Sequence, residues 1–179
     1  MQLTLLRHGN TEMNKLGKIN GQTMDDHLSF EGREQIECLT KTLARDFDVM
    51  ISSDLARTRE TAEIINSTLH LPEEFTSSLR EIHLGRLTGL TWEEINIKCG
   101  EDTMKNYFAQ DYDFRAFGGE SVDEVKSRVF AYFDEIKEKH FNKKILVVTH
   151  GGVLRMLHYF LKGETLGVID NATVHEFEV

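Results

Sequence analysis

Two histidines and two arginines carry the chemical information in this chain. Arg7 and His8 follow the apolar run Leu3-Thr4-Leu5-Leu6 and precede Gly9. Ser52 and Ser53 close a second run, Asp48-Val49-Met50-Ile51-Ser52, and Arg57 lies one turn further on. His150 closes a third run, Lys144-Ile145-Leu146-Val147-Val148-Thr149, and precedes Gly151-Gly152. Each member has a plain structural reading. Arg7-His8 could be surface, Arg57 a solvated helix residue, His150 a satisfied core histidine, and the glycine pair a tight turn. All of them, however, fall at carboxyl ends of predicted strands, where open α/β sheets bind ligands.

Together these groups suit a tetrahedral dianion. Guanidinium forks bind phosphoryl oxygens bidentately and stay charged. Arg57 sits in the first turn of a helix, where free N–H groups add partial positive charge. Gly9, Gly151 and Gly152 allow close backbone approach to a ligand. Imidazole can attack phosphorus and split one hard step into two easier ones. A leaving alkoxide also needs a general acid, and Glu81 in Leu79-Arg80-Glu81-Ile82 is the candidate.

The elements that must position these residues are legible as periodic patterns. The three apolar runs read as buried strands. Ser29 caps a helix with Ile36, Leu39, Leu43 and Phe47 on one face, and Ser53-Asp54 offers capping chemistry for the next, with Ala62, Ile65 and Leu69. Ser121-Val122-Asp123-Glu124 is a capping box opening a helix with Val122, Val125, Val129, Phe133 and Ile136 on one face. An apolar helix through Val153, Leu154, Leu157 and Leu161 follows His150, and Ala172–Val179 alternates like a strand. Strands alternating with amphipathic helices predict an α/β fold: a three-layer α/β/α sandwich with a mostly parallel central sheet. From His83 to Glu120 the chain reads as polar and irregular, with short helical pieces and scattered aromatics, and is expected to be a small lid insertion.

Composition bounds the partners. The 179 residues predict one domain, 1–179, with the lid at about 83–120. A net charge of −9 argues against nucleic acid and anionic membrane surfaces. Cys38 and Cys99 are the only cysteines, too few for a disulfide framework or a cysteine-based zinc site, and Cys38 is expected to be a buried thiol. No metal-ligand spacing and no nucleotide-binding glycine loop is present. The expectation is a cytoplasmic protein with no metal and no cofactor.

The motifs resemble those of the histidine phosphatase superfamily, the phosphoglycerate-mutase-like fold. The resemblance rests on Leu6-Arg7-His8-Gly9-Asn10-Thr11 with Asn14, and on Leu28–Gly32, Ser52–Ala62, Leu79–Gly85, Gly118–Ser121 and Val148–Val153. Asn171 before the last strand also fits. It implies His8 as phosphorylated nucleophile, Glu81 as acid and base, and Arg7, Arg57 and His150 as holders of the phosphoryl oxygens, with Asn14 nearby. Gly21 and Gly151 join the substrate-binding set. Departures fall at Asn10, where Glu or Gln is common, and in Gly21–Leu28, with His27 where proline is common. Both are expected to border the substrate side of the pocket.

Within that resemblance a phosphatase of small phosphomonoesters is favoured over a phosphoglycerate mutase. Mutases resemble this chain but carry a longer insertion, and the segment 83–120 holds seven acids against four bases, which suits a second substrate anion poorly. A third reading, a catalytically weak phosphate-binding module, is disfavoured because both His8 and Glu81 are present. The physiological substrate and the oligomeric state are not written in the sequence.

Overall fold

The computed structural model describes residues 1–179. Five strands form one sheet in the order β3-β2-β4-β1-β5. β1 (Gln2–Arg7), β2 (Val49–Ser53), β3 (Glu73–Thr76) and β4 (Ile145–Thr149) are mutually parallel, and β5 (Val174–Glu178) runs antiparallel to β1 on the edge. Every residue of β2 and β4 is buried, as expected of strands covered on both faces. Arg7 pairs with Thr149 in register, so Arg7-His8 and His150 emerge side by side.

The period-two alternation divides the strand residues between two cores. Leu6, Met50, Leu146 and Val148 face one layer, made by α2 (Phe30–Thr40) and α3 (Ala56–Leu69). Leu3, Leu5, Val49, Ile51, Ile145 and Val147 face the other, made by α6 (Val122–Lys139) and α7 (Gly151–Leu157). This is the expected sandwich. Leu146 is wholly buried; truncation to alanine there costs about 2–5 kcal/mol, because transfer energy and cavity formation add.

Several local expectations need correction. α2 stops at Thr40, short of Leu43 and Phe47. The Thr40 and Thr42 hydroxyls donate to the carbonyls of Ile36 and Leu39, competing with the helical ladder. Leu43 and Phe47 still pack against the same cluster from the following turn. Cys38 is exposed on α2. Ser53-Asp54 does not cap α3. Asp54 forms a bidentate ion pair with Arg80 at 2.6 Å, and the acceptor for Ala56 N–H is Asp25 Oδ1, from a distant loop. β3 was not legible because Glu73-Glu74-Phe75-Thr76 is a half-exposed edge strand with no apolar alternation. The α-helix after His150 ends at Leu157 and widens into a π-helical turn over His158–Lys162.

The segment 83–120 holds the expected short helical pieces, packed against the core. After α1 (Glu12–Lys15) near the first loop, it supplies α4 (Trp92–Cys99) and α5 (Thr103–Phe108). A Thr91/Glu94 capping box starts α4. Trp92 and Tyr107 pack at 4.5 Å, Tyr112 stacks on Phe114 at 5.3 Å, and Tyr107, Tyr112 and Phe114 join the α6/α7 core. The aromatics therefore point inward, and six of the seven acids of this segment are exposed; only Glu120 is half-buried. No helix is long and apolar enough to cross a membrane.

Candidate active site

His8 follows β1 directly and is only 2% exposed. Its Nδ1 lies 2.7 Å from the Gly9 carbonyl, which can only accept, so Nδ1 carries the proton. Nε2 is left as the lone pair, and the Nε–H of Arg57 points at it from 3.3 Å. Asn171 Nδ2 donates to the His8 carbonyl at 3.0 Å and to the Gly9 carbonyl at 3.3 Å, fixing the backbone on which the ring turns. Burial first, and then the Arg57 and Arg7 guanidiniums, hold the His8 imidazole well below its usual value. It is a neutral ring whose one lone pair, at Nε2, accepts from Arg57.

Arg57 is 1% exposed, in the first turn of α3. Its Nη2–H donates to the Gly21 carbonyl at 2.9 Å. Burial lowers its pKa to about 10, so it stays charged at neutral pH. Gly21 thus acts through its carbonyl, orienting Arg57, while its own φ of +52° is a conformation that glycine adopts without strain. Arg7 donates one Nη–H to the Ile169 carbonyl, and its buried Nε has no protein partner.

His150 is wholly buried at the N-terminus of α7. Its Nε2 lies 2.9 Å from Ser53 Oγ, its Nδ1 has no protein partner, and its ring packs edge-on against His8 at 5.2 Å. It backs the His8 ring and does not itself line the cavity. Burial, followed by Arg57, also holds this imidazole well below its usual value.

Glu81 reaches the same point from the loop before α4. Its Oε1 accepts from Ile82 N–H at 2.9 Å and its Oε2 from Gly152 N–H at 3.1 Å. A Cβ at Gly152 would lie 2.2 Å from Oε1, so only glycine leaves room for the carboxyl group. The Glu81 carbonyl is held by Gln22 Nε2 at 2.8 Å and by Arg128 Nη2 at 3.2 Å. Arg128 is in turn paired with Glu120 at 2.7 Å. Sequence reasoning missed Gln22 and Arg128, because a single polar residue on a loop or a helix face carries no periodic signal.

These groups open on a cavity of about 240 Å³. Arg7, His8, Arg57, Glu81, Asn14, Gly21, Gly151 and Asn171 line it, and Glu81 is its only carboxylate. Asn14 Oδ1 accepts from Asn171 Nδ2 at 3.3 Å, which leaves the Asn14 amide N–H groups free. Asn10 is not on the wall; its N–H bonds Gln35 Oε1 at 3.1 Å and its carbonyl accepts from Ser29. His27 is exposed and pairs with Glu60 at 2.6 Å. Of the two departures from the family pattern, only the Gly21 segment reaches the cavity. Among the lining residues that sequence reasoning did not assign are Trp92, Tyr107, Phe108 and Arg155. No group of three or more His, Cys, Asp or Glu side chains capable of holding a metal ion is present.

A buried cationic pocket at the carboxyl edge of a parallel sheet, with a neutral imidazole between two guanidiniums, defines a phosphoryl-handling α/β enzyme. The chain belongs to the histidine phosphatase superfamily (branch 1), whose model matches residues 3–179. It is 33% identical to the metal-independent phosphoserine phosphatase of Arabidopsis thaliana, over 97% of this chain and 74% of that protein. It is 36% identical to phosphoglycerate mutase-like protein 4 of the same plant, over 88% and 69%. Among solved structures it is similar to the mycobacterial glucosyl-3-phosphoglycerate phosphatase bound to VO3, with a TM-score of 0.87, 28% identity, and coverage of 98% and 91%. The chain is a hydrolase of the phosphatase type.

Proposed function

We propose that this phosphatase hydrolyses small phosphomonoesters through a phospho-histidine on His8. Arg7 and Arg57 hold two phosphoryl oxygens, and Asn14 and the Gly151 backbone add donors. His150, packed edge-on behind the His8 ring, holds that ring in position for attack. His8 Nε2 attacks phosphorus, the P–O ester bond breaks, and Glu81 gives its proton to the leaving alkoxide. Glu81 then takes a proton from water, which attacks phosphorus. The P–N bond breaks, inorganic phosphate leaves, and both residues return to their starting states. In this reading residues 1–179 act as one domain, with 83–120 as the cover of the cavity.

The observation that carries the reading is the tautomer of His8. The Gly9 carbonyl takes the only ring proton, so Nε2 meets the cavity as a lone pair beside two guanidiniums. Fixed cations there stabilise charge as it spreads over the phosphoryl oxygens. Rapid acid-free quenching with a radiolabelled phosphomonoester tests it. The label is expected on His8, stable in alkali and lost in acid, and absent in His8→Ala. Hydrolysis at near wild-type rate by a folded His8→Ala variant would overturn the mechanism. Return of the label to a second position of the substrate, instead of to water, would make the enzyme a mutase.

A further inference from the structure

A chain of polar groups that the phosphoryl chemistry does not use joins the end of α7 to β5. His158 opens the π-helical turn after α7 and is 6% exposed, and His175 lies half-buried on β5. Nδ1 of His158 lies 2.7 Å from Glu164 Oε2, and its Nε2 lies 3.0 Å from His175 Nδ1. Nε2 of His175 lies 3.1 Å from Thr173 Oγ1, and that hydroxyl donates to the Asp170 carbonyl at 2.7 Å. The two ends of this chain, a carboxylate and a peptide carbonyl, can only accept.

Its four contacts therefore need four protons, whereas two neutral imidazoles and one hydroxyl supply three. All four bonds form only when the two rings hold one proton beyond neutral. The directions are then fixed. His158 donates from both nitrogens, to Glu164 and to His175, and His175 donates from Nε2 to Thr173. Burial, and after it the His158 and Lys162 charges, hold the His175 imidazole below its usual value, which leaves the positive charge on His158, beside the carboxylate. The groups facing the two rings are Glu164 from the loop and Lys162 from the π-helical turn, whose Nζ sits 4.6 Å over the Phe177 ring. Phe177 itself packs edge-on against His158 at 4.8 Å, and the apolar Leu5 of β1 lies opposite His175. The Asp170 carboxylate acts on Arg7.

The last bond of the chain closes the turn 170–173, and that turn reaches the nucleophile. Asn171 Nδ2 donates to the His8 carbonyl at 3.0 Å. Ala172 N–H lies 3.2 Å from the carbonyls of both Arg7 and His8, and Arg7 N–H donates to the Thr173 carbonyl at 3.1 Å. The Ile169 carbonyl, just before the turn, takes the Arg7 guanidinium. Ala172 sits at φ +58°, a strained conformation for a residue with a Cβ, so its neighbours must hold it there. We propose that Glu164, His158, His175 and Thr173 are positioning residues, a latch that sets His8 and Arg7 through the turn 170–173 and is closed while the two rings hold one proton beyond neutral. It rests on the phosphatase reading only for its effect on turnover. When that proton leaves, the Thr173 hydroxyl can serve His175 or Asp170 but not both. A second added proton sets two N–H groups against each other across 3.0 Å. The latch is thus complete only between the two steps of a coupled pair.

A ¹⁵N NMR titration of the full chain without ligand, from about pH 5 to 9, reads the ring nitrogens of His158, His175 and His8 and the side-chain amide of Asn171. On raising the pH, His158 and His175 are expected to lose one proton in a shared step, with the Asn171 amide and His8 Nδ1 signals moving at the same pH. In Glu164→Gln, which keeps an acceptor oxygen but not the charge, the shared step should move to lower pH. In Thr173→Val the two rings should still titrate, but the Asn171 and His8 signals should no longer follow. Thr173→Ser, which keeps the hydroxyl, should restore the response. With p-nitrophenyl phosphate, Thr173→Val should lose about 3- to 10-fold in kcat/KM below the step, the scale of one hydrogen bond, and approach wild type above it. Rings that titrate independently would overturn the latch, and so would an Asn171 amide that ignores a shared step. Equal kcat/KM for wild type and Thr173→Val at every pH would overturn it too. A wild-type chain that shows the shared step and the Asn171 response but hydrolyses no phosphomonoester overturns the phosphatase reading and leaves the latch. Turnover without the NMR response overturns the latch alone.

Discussion

Arg57 Nε–H points at Nε2 of His8 from 3.3 Å, while Nδ1 of the same ring bonds the Gly9 carbonyl at 2.7 Å. One contact fixes the tautomer, and the other places a permanent cation beside the lone pair. In the proposed mechanism a phosphoryl group arriving at Nε2 meets the guanidinium at once, and the same charge repels a proton from that nitrogen.

Replacing Arg57 by Gln should therefore raise the pKa of His8, since Arg57 is the largest charge holding it down after burial itself. An NMR titration of the ring should show wild-type His8 still neutral at pH 6 and the variant shifted up toward 6.5. The sign carries over to stability. The native state keeps His8 and His150 neutral, while the unfolded chain takes up protons below its ordinary histidine value of 6.5. Stability should thus fall as pH drops below that value, by up to about 1.4 kcal/mol per unit for each ring. A native state that grew more stable on acidification through this window would contradict the assignment.

Glu81→Gln keeps an oxygen for one of the Ile82 and Gly152 N–H groups, turns an amide NH2 toward the other, and has no proton of acid strength to give. The fold should survive, and the effect should depend on the leaving group. For alkyl phosphates the rate of the first step should drop by about 10²–10⁴. For p-nitrophenyl phosphate, whose leaving group needs no proton, the drop should be far smaller. Pre-steady-state release of the two alcohols measures this, and an equal loss on both would remove Glu81 as the acid.

Gly151 and Gly152 are neighbours with different tolerances. A Cβ at Gly152 meets Glu81 Oε1 at 2.2 Å and Ile82 Cδ1 at 2.7 Å, so Gly152→Ala must displace the carboxyl group. A Cβ at Gly151 meets only the ends of two arginines, at 3.3 Å or more. Gly152→Ala should lose at least about 100-fold in kcat, of the order of removing the general acid. Gly151→Ala should mainly raise KM. The reverse order of severity would show that Glu81 is not held where the structure places it.

Asp25→Ala tests the remote cap. Asp25 Oδ1 takes the Ala56 N–H at the start of α3, one residue before Arg57. Its loss should cost about 1 kcal/mol of stability. It should also weaken inorganic phosphate as a competitive inhibitor, because the turn carrying Arg57 loosens. Unchanged phosphate inhibition alongside a lowered Tm would confine Asp25 to a stabilising role.

The sequence by itself determined the strands that end at His8, Ser53 and His150, because runs buried on both faces must be continuously apolar. It determined the core faces of the helices, because burial on one side imposes the 3.6-residue period, and it placed the residues proposed to bind the phosphoryl group at one sheet edge. Tertiary structure decided what no local pattern encodes. Only the fold brings Asp25 to cap α3, sets Arg128 and Gln22 against the Glu81 carbonyl, and turns the aromatics of residues 83–120 inward while their acids face out. It moved His150 from the cavity wall to a place behind His8, and it buried Arg155 without a counter-charge. The physical reason is range. Apolar periodicity records each residue's exposure to water, which is local, whereas the pairing of polar groups depends on which distant segment ends up within three ångströms.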